Sequence, residues 1–328
     1  MKIAITGAAG FIGSSLSHWI INQFHQQHKI VGIDNMSGGY ESNFPLEFNF
    51  INEKVDLANA EELRRVFDEY GGFDLCFHFG AYAAEGRANH IRRFIHANNT
   101  IGTLNVINEC VRNQTKLVFT SSVAVYSGEF PFHESITPHP IDEYGISKYS
   151  SEMSIRVAGY EQDLRWCIVR PRNVFGPRQS LWDPARNLMG IWMYNALNGL
   201  PCQIFGDGQN RRCFTYIGDI LEPLWNASKQ DYQVINLGAS KSYSISEAAE
   251  IFKEVTGYDN FIHTEARPEV KEAICDISKS EELLGYSDKT SLRDGLVKMW
   301  EWAQGQPWKD RIIPPPLEVS INAHSSLK

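Results

Sequence analysis

The sequence predicts an α/β protein built on a doubly wound parallel sheet, with a smaller mixed α/β domain beside it. Three observations carry that expectation. Short apolar stretches alternate with helix-forming stretches over the first 170 residues. A glycine-rich turn, Gly7-Ala8-Ala9-Gly10-Phe11-Ile12-Gly13, joins the first apolar stretch to the first amphipathic one. Gly7, Asp34, Asp56, Gly80, Ser122 and Arg170 all fall at or just past predicted strand ends, and ligands of such sheets bind beyond those ends.

Taken in order, residues 1–6 read as a strand and residues 14–27 as a helix with Leu16, Trp19, Ile20 and Phe24 on its apolar face. Strand, glycine turn and helix form a phosphate cradle: the glycines allow close backbone approach and the helix N-terminus favours an anion. A tight turn without a ligand is the plainer reading. Residues 29–33 form a second strand ending in Asp34-Asn35, the distance at which a carboxylate accepts the ribose hydroxyls of NAD. Asp34 would repel a 2′-phosphate, which favours NAD over NADP; as an Asx residue it would only start a turn. Further strands are expected at 48–55, before Asp56-Leu57, at 74–79, before Gly80-Ala81-Tyr82-Ala83, at 116–120 and at 165–169. Helices are expected at 60–70, closed by Gly71-Gly72, at 98–112, and from Tyr144 to about Glu161. Asn98 and Asn99 could cap the second of these or contact a cofactor.

After Pro171 the pattern loosens. A loop at 172–179 precedes a helix at 184–197, a strand and turn at 204–208, an extended run at 213–219, a strand at 233–237 and helices at 246–256 and 292–303. The expected division is therefore 1–172 for the first domain, with 213–238 returning to it. Residues 173–212 and 239–312 form the second, and 313–328, rich in proline and polar residues, a loose tail.

The chemistry centres on Tyr144-Gly145-Ile146-Ser147-Lys148. Tyr and Lys four apart share a helix face. A lysine ammonium beside a phenol favours the phenolate, which should draw the Tyr144 pKa from about 10 toward neutrality and make it a base for an alcohol proton. A base of that kind beside a dinucleotide site implies hydride chemistry at a hydroxyl-bearing carbon.

Composition excludes other classes. The chain has 328 residues, 21% charged, with a net charge of −8 and no basic block, which argues against nucleic-acid binding. No apolar run approaches the roughly 18 residues that span a bilayer, and no signal peptide opens the chain, so a cytoplasmic enzyme is expected. The six cysteines are scattered without metal-ligand spacing, so no metal site is expected.

With these residues in view, the chain resembles the extended short-chain dehydrogenase/reductases, which share a Rossmann domain, and among them the nucleotide-sugar epimerases of the UDP-galactose 4-epimerase type. The glycine motif, Asp34-Asn35, Asp56-Leu57, Phe77-His78-Phe79-Gly80-Ala81, Asn98-Asn99, Thr120-Ser121-Ser122 and Tyr144-x-x-x-Lys148 match in order, as do Arg170 to Arg178 and Arg212-Cys-Phe-Thr-Tyr216-Ile-Gly-Asp219. Cys213 stands where the family signature has an acid. The resemblance implies Ser122, Tyr144 and Lys148 as catalytic residues. It implies NAD held by Gly7, Gly10, Phe11, Ile12, Gly13, Asp34, Asn35, Asp56, Leu57, Phe79, Gly80, Ala81, Ala83, Asn98, Thr120, Ser121, Tyr144, Lys148 and Pro171. It places a UDP-sugar against Ser122, Asn173, Asn187, Arg212 and Arg267, with the uracil near Phe205 and the C2 substituent near Ala273; were the register to slip by one, Ile274 would take that place. It further implies a homodimer through a four-helix interface made by the helices at 98–112 and 144–161.

Sister activities give contrasts. The dehydratases carry an Asp-Glu pair after the catalytic Ser or Thr and the decarboxylases a Glu; here Val123-Ala124 follow. Glucuronate epimerases carry an arginine shortly after Gly-Pro-Arg-Gln; here Ser180 follows, favouring a neutral hexose, although Arg186 lies nearby. Inversion at C4 of UDP-glucose/UDP-galactose, with N-acetyl sugars admitted by the small Ala273, is the activity implied. An enzyme releasing free NADH and a non-catalytic NAD-binding sensor are the rival readings.

Overall fold

Seven parallel strands make the central sheet: β1 (Lys2–Thr6), β2 (Lys29–Asp34), β3 (Phe50–Lys54), β4 (Leu75–His78), β5 (Lys116–Thr120), β6 (Trp166–Pro171) and the strand Gln233–Leu237. From one edge the order is Gln233–Leu237, β6, β5, β4, β1, β2, β3, all pairs parallel. The chain therefore steps outward from β1 to β3 and returns on the other side of β1 at β4. This reversal opens a crevice between the ends of β1 and β4, where a doubly wound sheet binds its ligand. The computed structural model describes residues 1–25, 27–128, 130–266, 272–306 and 311–327.

The strands are nearly all apolar, as burial on both faces requires. One face packs Ile3, Ile5, Phe77, Val118 and Val169 against the helices Phe11–Phe24 and Ile217–Ala227. The other packs Ala4, Val31, Phe119 and Ile168 against Ala60–Glu69, Gly102–Arg112 and Glu143–Gln162. A separate core around Trp192, Phe214, Phe252 and Met299 holds the second half, where the strands have two to four residues and the helices Leu188–Leu197, Ile245–Thr256 and Leu292–Gln304 carry the mass.

Several boundaries differ from those expected, each for a local reason. The first helix starts at Phe11, directly after Gly10, and not at residue 14. The helix expected to begin at Asn98 runs on from Arg92–Ile95 through a π-helical turn, His96–Ile101, into Gly102–Arg112. Asn98 and Asn99 are thus interior, not caps. The helix expected from residue 184 starts at Leu188, because Asp183 Oδ1 accepts from Ala185 N at 2.9 Å and holds a turn there. The helix expected from residue 246 starts at Ile245, because Ser244 caps it in a reciprocal capping box with Glu247. The helices Glu85–Ala88, Ile217–Ala227, which contains Pro223, and Ser278–Leu284 were not expected.

The expected loose tail requires correction. Residues 311–327 contain no strand and only one 3-10 turn, Ser325–Leu327. They are nevertheless held, because prolines that cannot donate still offer carbonyls: the buried Arg87 guanidinium donates to Pro315 O at 2.7 Å. Among the described residues, no helix is long and apolar enough to cross a membrane.

Candidate active site

The crevice widens into a cavity of about 1120 Å³ that runs from the β1 turn, past the sheet ends, into the second half. The glycine turn, Asp34, Asp56, Asn98, Thr120, Ser121, Ser122, Tyr144, Lys148, Asn173, Asn187, Phe205 and Arg212 line it, with the other cofactor candidates of the strand ends, whereas Asn99, Arg170 and Ile274 do not. Arg267 lies outside the described residues. The backbone of Ala273 pairs in register with Arg212, but its side chain is outside the described set.

At the β1 end the backbone makes the site. Gly7 has φ +67, and a Cβ there would lie 2.8 Å from Gly80 N; one at Gly13 would lie 2.3 Å from Gly7 O. Side chains are excluded, so the turn stays open beneath the helix N-terminus. Thr6 Oγ1 accepts from Gly80 N at 3.1 Å and meets His78 Nδ1 at 2.5 Å, tying the β1 and β4 ends together. His78, wholly buried, is pushed down to about 3 and stays a neutral link. Asp34 closes β2 with Oδ2 accepting from Ala9 N at 3.0 Å and Oδ1 from Met36 N at 2.8 Å. Burial raises its pKa while these two amides oppose the rise. The carboxylate keeps lone pairs for vicinal hydroxyls. Asp56 Oδ1 accepts from Ala58 N at 2.9 Å, and Asn35 Oδ1 from Ser37 N at 3.0 Å.

The middle of the cavity holds the reactive groups. Asp142 caps the helix Glu143–Gln162, accepting from Gly145 N at 2.7 Å, and places Tyr144 and Lys148 in its first two turns. Lys148 Nζ donates to Thr120 O at 2.8 Å and lies 6.0 Å from the Tyr144 ring centre. The expected fall of the Tyr144 pKa does not occur in the protein alone. Burial raises it, the Glu85 charge raises it further, and a Ser122 hydrogen bond only partly opposes them. Lys148 Nζ is turned to the Thr120 carbonyl instead. Burial also pulls Lys148 itself down to about 7, against the one supporting charge, Glu152.

Glu152 belongs to a network the sequence did not reveal. It is fully buried and receives Arg170 through Nε at 2.8 Å and Nη2 at 2.5 Å. Ser121 Oγ donates to it at 2.5 Å, and Arg170 also reaches Tyr126. Arg170, expected at the shared site, is instead a buried clamp between β6, the Tyr144 helix and the Ser121-Ser122 turn. Asn99 does similar work: its Oδ1 accepts from Tyr82 N at 2.7 Å and its Nδ2 donates to Ser147 Oγ at 3.1 Å. Asn98 donates to Phe94 O at 2.8 Å and faces the cavity.

Beyond Tyr144 the wall is made of side chains. Arg186 donates to Asp183 Oδ2 at 2.8 Å and stacks 4.4 Å from the Tyr82 ring. Asn187 Nδ2 donates to Val174 O at 3.0 Å and Arg212 Nη1 to Arg211 O at 2.9 Å. Asn173, with φ 37, accepts at its carbonyl from Thr215 N at 3.1 Å. Tyr40, Arg178, Glu85 and seven residues of the segment 311–327 also line the cavity. Sequence reasoning missed these; the prolines of the segment were read as a sign of looseness.

The residues fit a dinucleotide on structural grounds. Thr120 Oγ1 and Tyr82 OH are buried cavity-lining oxygens without a hydrogen-bond partner, a state that marks a ligand's place. Among the described residues no cluster of His, Cys, Asp or Glu could hold a metal ion.

Comparison with known proteins points the same way. Residues 3–238 match the NAD dependent epimerase/dehydratase family. Superposition on UDP-glucose 4-epimerase of Thermotoga maritima, solved with UDP-glucose, gives a TM-score of 0.85 at 30% identity, covering 93% of this chain and 99% of that one. UDP-N-acetylglucosamine 4-epimerase of Methanobrevibacter ruminantium, solved with UDP-N-acetylmuramic acid, gives 0.84 at 29%, covering 92% and 97%. UDP-glucuronic acid 4-epimerase of Bacillus cereus, solved with UDP-glucuronic acid and NAD, gives 0.84 at 28%, covering 93% and 99%.

Proposed function

This chain belongs to the NAD-dependent epimerase/dehydratase family, and from that premise we propose that it inverts C4 of a UDP-hexose, UDP-glucose/UDP-galactose first. The observation that carries the reading is the convergence of Ser122, Tyr144 and Lys148 on the cavity that also receives the Gly7 turn and Asp34. Bound NAD supplies a reversible hydride acceptor at C4. Gly7, Gly10 and Gly13, with Phe11 and Ile12, would hold its pyrophosphate and Asp34 its adenosine ribose. Thr120, Ser121 and Lys148 would hold the nicotinamide end.

In this reading Tyr144 takes the C4 hydroxyl proton, directly or through Ser122. It returns the proton after the 4-ketose has turned its other face. Lys148 holds the cofactor ribose and supplies positive charge. Burial raises the Tyr144 pKa, and a positive charge close to the phenol would oppose that rise. Asn173, Asn187 and Arg212, together with Arg267, would keep the UDP anchored while the sugar turns, with Phe205 at the base.

A uronate is the second reading, favoured by Arg186 in the cavity wall. Its guanidinium is already paired with the buried Asp183, and Glu85 adds negative charge near Tyr144. A neutral hexose therefore fits better than a sugar carboxylate. Elimination and decarboxylation lack the acid after Ser122, where Val123-Ala124 stand.

Incubation with UDP-glucose, UDP-galactose, UDP-GlcNAc and UDP-glucuronate, followed by NMR of the products, tests the reading. Conversion of galactose to glucose without absorbance change at 340 nm supports it; net NADH release would point to a dehydrogenase. NAD binding without turnover of any of the four would point to a sensor.

Pairing is proposed through the helix Glu143–Gln162, where Ile146, Met153, Val157 and Tyr160 are exposed, and Ile101 of the neighbouring helical segment. Apolar groups at helical spacing on a surface need a partner. Sedimentation should give a dimer.

A further inference from the structure

The chain after residue 310 crosses the mouth of the cavity, fixed at both sides. At its start, Ile312 N donates to Trp182 O at 2.9 Å, and Arg311 lies 4.4 Å from the Tyr194 ring, both in the second half. Its middle sits on residues 87–94 of the first half. Arg87 donates Nε and Nη2 to Pro315 O and Nη1 to Leu327 O at 3.1 Å, gathering two points twelve residues apart. The Glu318 carboxylate accepts from Arg93 N and Phe94 N, both at 3.0 Å, which are amides at a helix start with no partner inside the helix. Leu317 packs into the cluster of Tyr82, Ile91, Ile95 and Tyr144. The segment then turns back, and the His324 ring meets Phe205 edge-on with centres 5.6 Å apart.

His324 is equipped to bind. Ser326 N donates to its Nδ1 at 3.2 Å, and a backbone amide can only donate. Nδ1 is therefore an acceptor in the neutral ring, and the proton resides on Nε2. That Nε2 is buried and has no hydrogen-bond partner; the nearest acid, Glu265, lies 3.8 Å away. The residue lines the same cavity as Arg212 and Asn187. A buried donor without an acceptor is costly, and the cavity is where an acceptor can arrive.

We propose that the C-terminal segment is the outer wall of the nucleotide-sugar pocket, and that His324 binds substrate by donating Nε2–H to a carbonyl of the pyrimidine base beside Phe205. The assignment of the base to Phe205 rests on the function proposed above. The wall closes over the nucleotide end, while the catalytic groups stay on the sheet. It thereby holds the released 4-ketose against escape without taking part in the proton transfers.

Calorimetry with UDP, UMP, dTDP and GDP tests this on wild type, His324→Ala, Glu318→Ala and a chain ending at residue 312. His324→Ala should weaken UDP and UMP alike by roughly threefold to tenfold, the worth of one hydrogen bond, with the retained NAD unchanged. Glu318→Ala, which touches no substrate, should weaken both nucleotides less and raise hydrogen exchange over residues 313–327. Should the shortened chain not fold, the two point variants decide. Unchanged affinity in both overturns the inference. Loss for UDP but not UMP would place the contact on the β-phosphate and overturn the base assignment. If wild type prefers GDP to UDP, the functional reading fails. The wall is then judged by whether the variants weaken GDP, and it falls if they do not or if wild type binds no nucleotide.

Discussion

The two halves of the cavity are made differently. In the sheet half the wall is backbone: the Gly7 turn, the strand ends and a helix N-terminus, all placed by seven strands in one register. In the other half the wall is side chains on two-, three- and four-residue strands, on loops and on a C-terminal segment that crosses from one half to the other. The first construction specifies a cofactor and tolerates little variation. The second can change one side chain at a time. The three superimposed epimerases share the fold as a whole, with TM-scores of 0.84 to 0.85, while the sugars in their names differ.

Tyr144 stands on the seam, and its loss should have the largest effect. Tyr144→Phe removes the phenol bonded to Ser122 and should lower kcat by about 10²–10⁴, the usual worth of an acid–base group. NAD should remain bound, measured as cofactor released on denaturation. Near wild-type turnover would remove Tyr144 from the chemistry and leave the two halves without a common centre.

Next comes the sheet half's buried clamp. Glu152→Gln leaves Arg170 charged and fully buried without its carboxylate. Breaking such a pair typically costs about 3–5 kcal/mol. Urea unfolding should show a loss of that order. A loss below about 1 kcal/mol would mean that the clamp does not set the position of the Ser121-Ser122 turn.

The contrast between halves also accounts for what the sequence revealed. The Gly7 turn, Asp34 and the Tyr144-Lys148 pair are local patterns, and each is found where its neighbours in sequence put it. Glu152-Arg170, Arg186 over Tyr82, and His324 against Phe205 join residues 18, 104 and 119 positions apart, counted from their numbers, and no periodicity reports such meetings. Pro223 hid the helix Ile217–Ala227, since an interior proline ordinarily ends one. The tail reads as loose because it forms neither helix nor strand; its order comes from Arg87 and Glu318, outside its own local pattern.

A smaller effect should appear in the substrate half. Ala273 pairs in register with Arg212, which puts its backbone beside the proposed UDP site. If Ala273 faces the C2 substituent, Ala273→Tyr overpacks an acetamide by about 1–3 kcal/mol. UDP-GlcNAc turnover should fall about fivefold to a hundredfold while UDP-galactose turnover holds. Equal loss of both, or none, would place the gate elsewhere.

The finest test compares the halves through a single proton. Burial lowers Lys148 from the ordinary 10.5 to about 7, with Glu152 opposing. Between those values the unfolded lysine binds a proton that the folded one does not, so the folded form gains stability as pH rises from about 7 toward 10. The gain is bounded by about 1.4 kcal/mol per pH unit, one proton's worth. Other groups titrate over the same range, and comparison with Lys148→Met cancels their share. In NAD-stripped protein, wild type should therefore gain on Lys148→Met between pH 7 and pH 9 in urea unfolding. Bound NAD puts its ribose hydroxyls against this lysine in the proposed site and should change the difference, whereas UDP, held across the cavity, should leave it unchanged. A flat difference would mean that Lys148 stays charged in the folded protein, with Glu152 and the Thr120 carbonyl outweighing burial. A response to UDP as large as that to NAD would mean that the two halves are electrostatically one.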